Sequence, residues 1–271
     1  LGNGSVPTYS STPVTVSSLT NVTLLAAGGD HSCVVTSAGE TKCWGSNKSG
    51  EISDIANGET LLPPSKITGL AGVPTALALG SRHSCALVPT GIQCWGNNSF
   101  GQLGNGSKNN TSVPTNVSGI GAGVLSIAAG LNHSCAVVSG NTAKCWGANY
   151  NFQLGDGTSQ ERLTPMDVYD LQGSVKMIES HWEFTCAVTT TGAAKCWGKN
   201  DVGNLGNNSA INAATPVDVL GVSSGASRVA IGQEHACALL SNGGIKCWGR
   251  NNFGQRGDGQ DAEGGQRAGR Q

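Results

Sequence analysis

Gly80 to Gly106 reads GSRHSCALVPTGIQCWGNNSFGQLGNG, and its arrangement of two cysteines, one tryptophan and six glycines decides the fold. Cys-Ala-Leu-Val and Gln-Cys-Trp are short β-prone runs, and a Gly lies between them, so the segment reads as a hairpin. The same text recurs around Cys33 and Cys43, Cys135 and Cys145, Cys186 and Cys196, and Cys237 and Cys247. Within the pairs the separations are 10, 9, 10, 10 and 10 residues, and the first Cys advances by 52, 50, 51 and 51. A fixed period near 50 is the mark of a repeat architecture and takes precedence over any single-residue reading.

The hairpin register follows from counting. If Thr36 and Glu40 flank the first turn, Cys33 stands directly opposite Cys43, and such a cross-strand pair is close enough to bridge. Each pair therefore reads as a disulfide: Cys33 with Cys43, Cys85 with Cys94, Cys135 with Cys145, Cys186 with Cys196, and Cys237 with Cys247. Reduced buried thiols and a Cys2His metal site using His31 remain as alternatives. The second lacks the close Cys-x-x-Cys pairs usual in zinc sites. Five bridges imply an oxidising compartment and an extracellular or cell-surface protein.

Ahead of each regular hairpin lies a run of small or aliphatic residues, and after each Trp-Gly comes a turn-rich segment, a polar loop, a Pro and a short strand. Four short strands per 51 residues is the content of a propeller blade. The fold class expected is therefore all-β, one β-propeller over 1–271. Its repeats run approximately 22–72, 73–123, 124–174, 175–227 and 228–271, with 1–21 as the outer part of a blade. Trp44, Trp95, Trp146, Trp197 and Trp248 fill equivalent gaps between blades.

The run Cys-Trp-Gly-x-Asn-x-x-Gly-Gln-Leu-Gly-x-Gly, clearest at Cys94 to Gly106, resembles the repeat of the regulator-of-chromosome-condensation propellers. So does the upstream Gly-x-x-His-Ser-Cys-Ala-Val. The resemblance covers essentially the whole chain and implies a propeller, usually of seven blades. Five hairpins are seen here, together with paired cysteines that cytosolic and nuclear members generally lack. Pro13-Val14-Thr15-Val16 can supply the missing outer strand of the last blade and close a five-blade ring; the chain can equally be an arc of a larger ring. The lack of an initiator Met and a signal peptide fits a processed or a partial chain.

Composition narrows function. Charged residues make up 12% of the chain and the formal net charge is -1. Typical domains carry about 25% charged residues, and duplex nucleic acid or anionic membrane calls for a basic face. No nucleic-acid partner and no membrane insertion are expected. No nucleophile motif, phosphate loop or metal signature appears, so no enzyme activity, cofactor or metal is expected either. His31, His83, His133 and His235 occupy one place per repeat, two residues before the first Cys, and read as blade histidines held by backbone hydrogen bonds. Arg256-Gly257-Asp258 spells an adhesion tripeptide but occupies the Leu103-Gly104-Asn105 place of the repeat and reads as drift. The Asn-x-Ser/Thr sequons at Asn3, Asn21, Asn47, Asn97, Asn105 and Asn116 suit glycosylation if the host performs it.

The fourth repeat is irregular. Phe184 stands in the histidine place, and Glu179, Ser180 and His181 replace an Ala-Ala-Gly. Trp182 has no aromatic counterpart, its equivalents being Gly29, Ser81, Leu131 and Gln233. Glu179, His181, Trp182 and Glu183 are the expected ligand or partner patch, at the mouth of the central channel. The loops Ser49 to Pro63, Lys108 to Pro114, Thr158 to Pro165 and Asn207 to Pro216 share one phase of the repeat and gather on one side. The function expected is an extracellular recognition or adhesion module binding protein or glycan at that loop face. A secreted inhibitor of an enzyme is the alternative. A small-GTPase exchange factor, which the resemblance also suggests, fits less well with the neutral charge and the cysteines.

Overall fold

The computed structural model describes residues 2–3, 9–52 and 62–259. It contains five antiparallel sheets and no helix among the described residues. The first comprises β1 (Val22–Ala27), β2 (His31–Thr36), β3 (Thr41–Gly45) and β4 (Leu62–Lys66), and the second β5 (Ala76–Leu79), β6 (His83–Val88), β7 (Gly91–Gly96) and β8 (Thr111–Asn116). The third holds β9 (Ser126–Ala129), β10 (His133–Val138), β11 (Thr142–Gly147) and β12 (Arg162–Asp167). The fourth is β13 (Val175–His181), β14 (Phe184–Thr189), β15 (Ala194–Gly198) and β16 (Ala213–Asp218). The fifth has three strands, β17 (Ala226–Ile231), β18 (His235–Leu240) and β19 (Ile245–Gly249). Strands within a sheet follow chain order, as in a propeller blade.

The counted register is the observed one. Cys33 pairs with Cys43, Val34 with Lys42 and Val35 with Thr41, and Thr36 and Glu40 flank the turn. All ten cysteines form the five local bridges, each with Cα atoms 4.1 Å apart, as suits the narrow type of cross-strand pair. No cysteine is free, so neither the thiol nor the metal alternative is realised. Four bridges are fully buried between sheets, while Cys237 and Cys247 are half-buried.

Inner strands contact in the order β1, β5, β9, β13, β17. Trp95, Trp146, Trp197 and Trp248 each lie between their own sheet and the one before. The Trp95 Nε1–H donates to the Glu51 carbonyl at 2.8 Å, Trp146 to Gln102 at 2.9 Å, Trp197 to Gln153 at 3.0 Å and Trp248 to Asn204 at 2.8 Å. The Gly after each Trp is dictated by crowding. Gly96 has φ +102°, and a Cβ there would lie 2.7 Å from the Arg82 carbonyl oxygen.

The ends are as follows. Pro13-Val14-Thr15-Val16 forms no strand. A Cβ on Gly2 would meet Trp44 and Val16, as one on Gly104 would meet Trp146 and Val117. Gly2 and Val16 therefore meet Trp44 of the first sheet as Gly104 and Val117 meet Trp146 of the third. Residues 53–61, within the loop Ser49 to Pro63, and the glycine-rich tail 260–271 lie outside the described residues.

Candidate functional site

The hairpin tips that join the first and second strands are Gly29-Asp30, Ser81-Arg82, Leu131-Asn132, Trp182-Glu183 and Gln233-Glu234, and the first four meet at one pocket. Antiparallel order puts the connections between third and fourth strands at the same end of each sheet, so the polar loops and the tips share a face. Between the first four tips lies a pocket of about 90 Å³ whose walls include Ala27, Leu79, Ala129, Leu131, His181 and Trp182. Gly28, Gly29, Gly80, Ser81 and Gly130 complete it.

Of the four residues expected to form a patch, the structure brings His181 and Trp182 together on this pocket. Trp182 is half-buried and has φ +49°, a left-handed conformation that costs an aromatic residue about 1–3 kcal/mol. Its carbonyl accepts the Leu131 N–H at 2.7 Å, which fixes the turn against the third sheet. His181 is reached by solvent, but the apolar walls around it lower its pKa, and the nearby His235 lowers it further.

Glu179 and Glu183 sit elsewhere. Glu179 pairs with Cys186 and turns with it toward the fifth sheet. Burial holds its carboxyl above the usual range, and the Arg228 guanidinium opposes that shift. Glu183 is buried, 3.2 Å from the Lys199 ammonium. Beside it lies the Tyr150 hydroxyl, which burial pushes up in pKa. Tyr150 in turn meets Phe100 with ring centroids 6.0 Å apart. Sequence reasoning passed over this aromatic pair because Phe100 and Tyr150 occupy different places in their repeats.

The histidines correct the sequence reading: a hydroxyl of the next sheet, not backbone, holds the imidazole Nε2. His31 Nε2 is 2.8 Å from Ser84 Oγ, His83 Nε2 is 2.9 Å from Ser134 Oγ, and His133 Nε2 is 2.9 Å from Thr185 Oγ1. Ser134 donates to the Gln102 carbonyl at 2.9 Å and Thr185 to the Gln153 carbonyl at 3.1 Å. A hydroxyl has one proton, so here Nε2 is the donor and the hydroxyl passes the bond on. The signal was in the sequence as the residue before each first Cys: Ser84, Ser134 and Thr185.

Where the histidine is missing, so is the hydroxyl. Phe184 takes the ring's place, and Ala236 stands where the latch would end; both are fully buried in one apolar cluster. The Gly at the strand end changes as well. A Cβ on Gly80 would lie 2.2 Å from His83 Cε1, and one on Gly130 would lie 2.1 Å from His133 Cε1, so a latch histidine requires Gly there. His181 occupies that place only in the sheet whose ring is Phe184. Three departures thus form one coordinated change, which puts a side chain on the axial pocket.

Two other motifs are absorbed by the fold. The Asn after each Trp-Gly-x pins the next turn: Asn98 Oδ1 accepts the Leu103 N–H at 3.0 Å, and Asn149 and Asn200 do the same for Leu154 and Leu205. In the tripeptide, Arg256 pairs with Asp258 at 3.0 Å, and its N–H donates to Asn251. Among the described residues no group of three or more His, Cys, Asp and Glu could hold a metal, and no helix is long and apolar enough to cross a membrane.

Comparison with known proteins agrees with this architecture. A model of the Regulator of chromosome condensation (RCC1) repeat matches residues 94–137, 145–188 and 195–239, and a second model of that repeat matches 22–51, 75–102, 124–153 and 226–255. The ultraviolet-B receptor UVR8 of Arabidopsis thaliana is 29% identical over 259 residues, which cover 93% of this chain and 59% of the receptor. The human E3 ubiquitin-protein ligase HERC2 is 29% identical over 261 residues, 92% of this chain and 5% of the ligase. Human WBSCR16 superposes with a TM-score of 0.75 at 20% identity, over 84% of this chain and 62% of its own. Prp20p of Saccharomyces cerevisiae, whose structure was described with its binding properties to Gsp1p and histones, gives 0.73 at 23% identity, over 88% and 60%. The chain spans less than two thirds of each of these proteins.

Proposed function

Because the chain belongs to the regulator of chromosome condensation (RCC1) repeat family, we propose that it is a protein-recognition propeller without catalytic activity of its own, working in an oxidising, extracellular setting. The observation that carries the reading is the axial mouth, where a half-buried Trp182 is held in a strained turn beside His181. The surrounding loops are rich in Asn, Ser and Gly, with aromatics such as Tyr150 and Phe253 exposed among them. Aromatic anchors set among small adaptable polar residues are the chemistry of antibody binding loops. The five bridges support an oxidising location.

A pocket of about 90 Å³ is far below the roughly 300–1,000 Å³ of small-molecule sites, which favours a macromolecular partner over a metabolite. A screen of the oxidised protein against protein and glycan arrays tests the reading. Trp182→Ala is expected to leave the Tm unchanged and weaken the protein partner found by about 30-fold, the 2 kcal/mol of a true anchor. Binding to glycans alone, or a Tm loss of many degrees with binding intact per folded molecule, overturns it.

A further inference from the structure

We propose that the axial pocket receives a single uncharged aliphatic side chain, presented by the protein partner and closed over by the Trp182 indole. This rests on the recognition reading above and gives it a specificity. Size comes first. Engineered apolar cavities of about 150 Å³ take benzene, and a water molecule's share of liquid is about 30 Å³. At about 90 Å³ this pocket has room for one branched aliphatic group but not for an indole.

Chemistry comes second. No Asp, Glu, Lys or Arg side chain lines the pocket, and the lowered pKa keeps His181 neutral at physiological pH. Of the charges next in sequence to the lining residues, Glu183 is already paired with Lys199, and Asp30 and Arg82 are exposed outside the lining; Glu179 faces Arg228 of the fifth sheet. A cationic or anionic side chain entering the pocket would lose its hydration with nothing to replace it. Aliphatic walls from Ala27, Leu79, Ala129 and Leu131 reward apolar burial instead.

Place comes third. The pocket lies on the propeller axis, the geometric centre of the loop face, where binding energy concentrates in desolvated pockets ringed by weaker contacts. The Leu131 N–H to Trp182 carbonyl bond joins the pocket wall to the turn that carries the anchor, so that turn is set before a partner arrives.

The probes are N-acetyl-leucinamide, N-acetyl-lysinamide and N-acetyl-tryptophanamide, titrated into ¹⁵N-labelled oxidised protein. The readout is the Trp182 indole N–H resonance, assigned by its absence in Trp182→Phe. N-acetyl-leucinamide is expected to shift that resonance saturably, and the other two to leave it in place. Ala129→Leu fills the pocket with the residue the second sheet already carries at the equivalent Leu79, and it should weaken the leucinamide at least tenfold. The other five indole resonances should not move. Ala27→Leu fills the pocket from the first sheet and serves if Ala129→Leu does not fold. An equal response to the lysine probe, unchanged affinity in the filled variants, or no shift up to about 100 mM probe overturns the proposal. A partner from the array that needs Trp182 but binds the filled variant normally would overturn the pocket and leave the recognition reading standing. A partner indifferent to Trp182 would overturn that reading itself.

Discussion

Acid should unlatch this propeller, and the size of the effect can be worked from three side chains. His83 and His133 are fully buried, each donating from Nε2 to a hydroxyl of the next sheet. Their Nδ1 atoms, like that of His31, have no hydrogen-bond partner among the described residues. A second proton would therefore create a buried charge with an unpaired N–H. Desolvation accordingly lowers His83 and His133 to about 3; it lowers His31 to about 4, against the opposing pull of Asp30. In the unfolded chain each titrates near 6.5. Between these values the unfolded state binds more protons, so stability falls as pH falls through 6.5 and is intact above about pH 7.5. Each histidine contributes a slope of about 1.4 kcal/mol per pH unit below 6.5, or about 8 kcal/mol for the three together at pH 4.5. That is comparable to the whole stability of an ordinary domain, about 5–15 kcal/mol. Guanidinium unfolding of the oxidised protein at pH 7.5, 6.0, 5.0 and 4.5 measures it. His83→Phe with Ser134→Ala transplants the apolar joint of the fourth and fifth sheets, and should cut the slope between pH 6 and 5 by about 1.4 kcal/mol per unit. Equal slopes in the two proteins would refute the reasoning.

Three further outcomes are expected. Phe184→His alone should cost about 3–5 kcal/mol, as a lost core aromatic does, whereas His181→Gly, Phe184→His and Ala236→Ser together rebuild a latch and should unfold within about 1 kcal/mol of the wild type; chemical denaturation of both separates a coordinated change from drift. Glu51 is fully buried where the other repeats carry Gln or Asn, and burial raises its pKa, so its charge opposes folding above the carboxylate range. Glu51→Gln should therefore raise stability at pH 7 by about 1 kcal/mol and less at pH 4, where unfolding curves would show the gap closing. Trp146→Ala should lower stability by about 3–5 kcal/mol, and a calorimetric scan with unchanged Tm would remove the tryptophans from the core.

The hairpins, their register and the bridges were legible because they depend on counting within one stretch of chain. A separation of ten residues around a turn at Thr36 and Glu40 leaves Cys33 only one partner. The position of Trp182 was legible by alignment with Gly29, Ser81, Leu131 and Gln233. What the sequence concealed were relations between blades. The partner of His83 is Ser134, 51 residues away, and nothing local distinguishes that hydroxyl from a solvent-facing one. Grouping Glu179 with His181 and Trp182 treated neighbours in sequence as neighbours in space. Glu179 and His181, two residues apart, share a face of β13, but Glu179 lies further down the strand, paired with Cys186 and beside Arg228, while only the strand end reaches the pocket.

Because every bridge joins nearest-neighbour cysteines, oxidation during synthesis meets almost no choice. Ten thiols released together could pair in roughly 900 ways, by the counting that gives 105 for eight. A chain lengthening at about 5–20 residues per second exposes one pair at a time, while a loop of about ten residues closes within about 100 ns. Closing the loop is therefore never the slow step, and an oxidant that acts in the seconds before the next pair emerges has one pairing to make. The bridges hold hairpins and never cross between blades. Assembly of the blades against one another is left to tryptophans, latches and apolar packing, and it stays reversible after the covalent chemistry is finished.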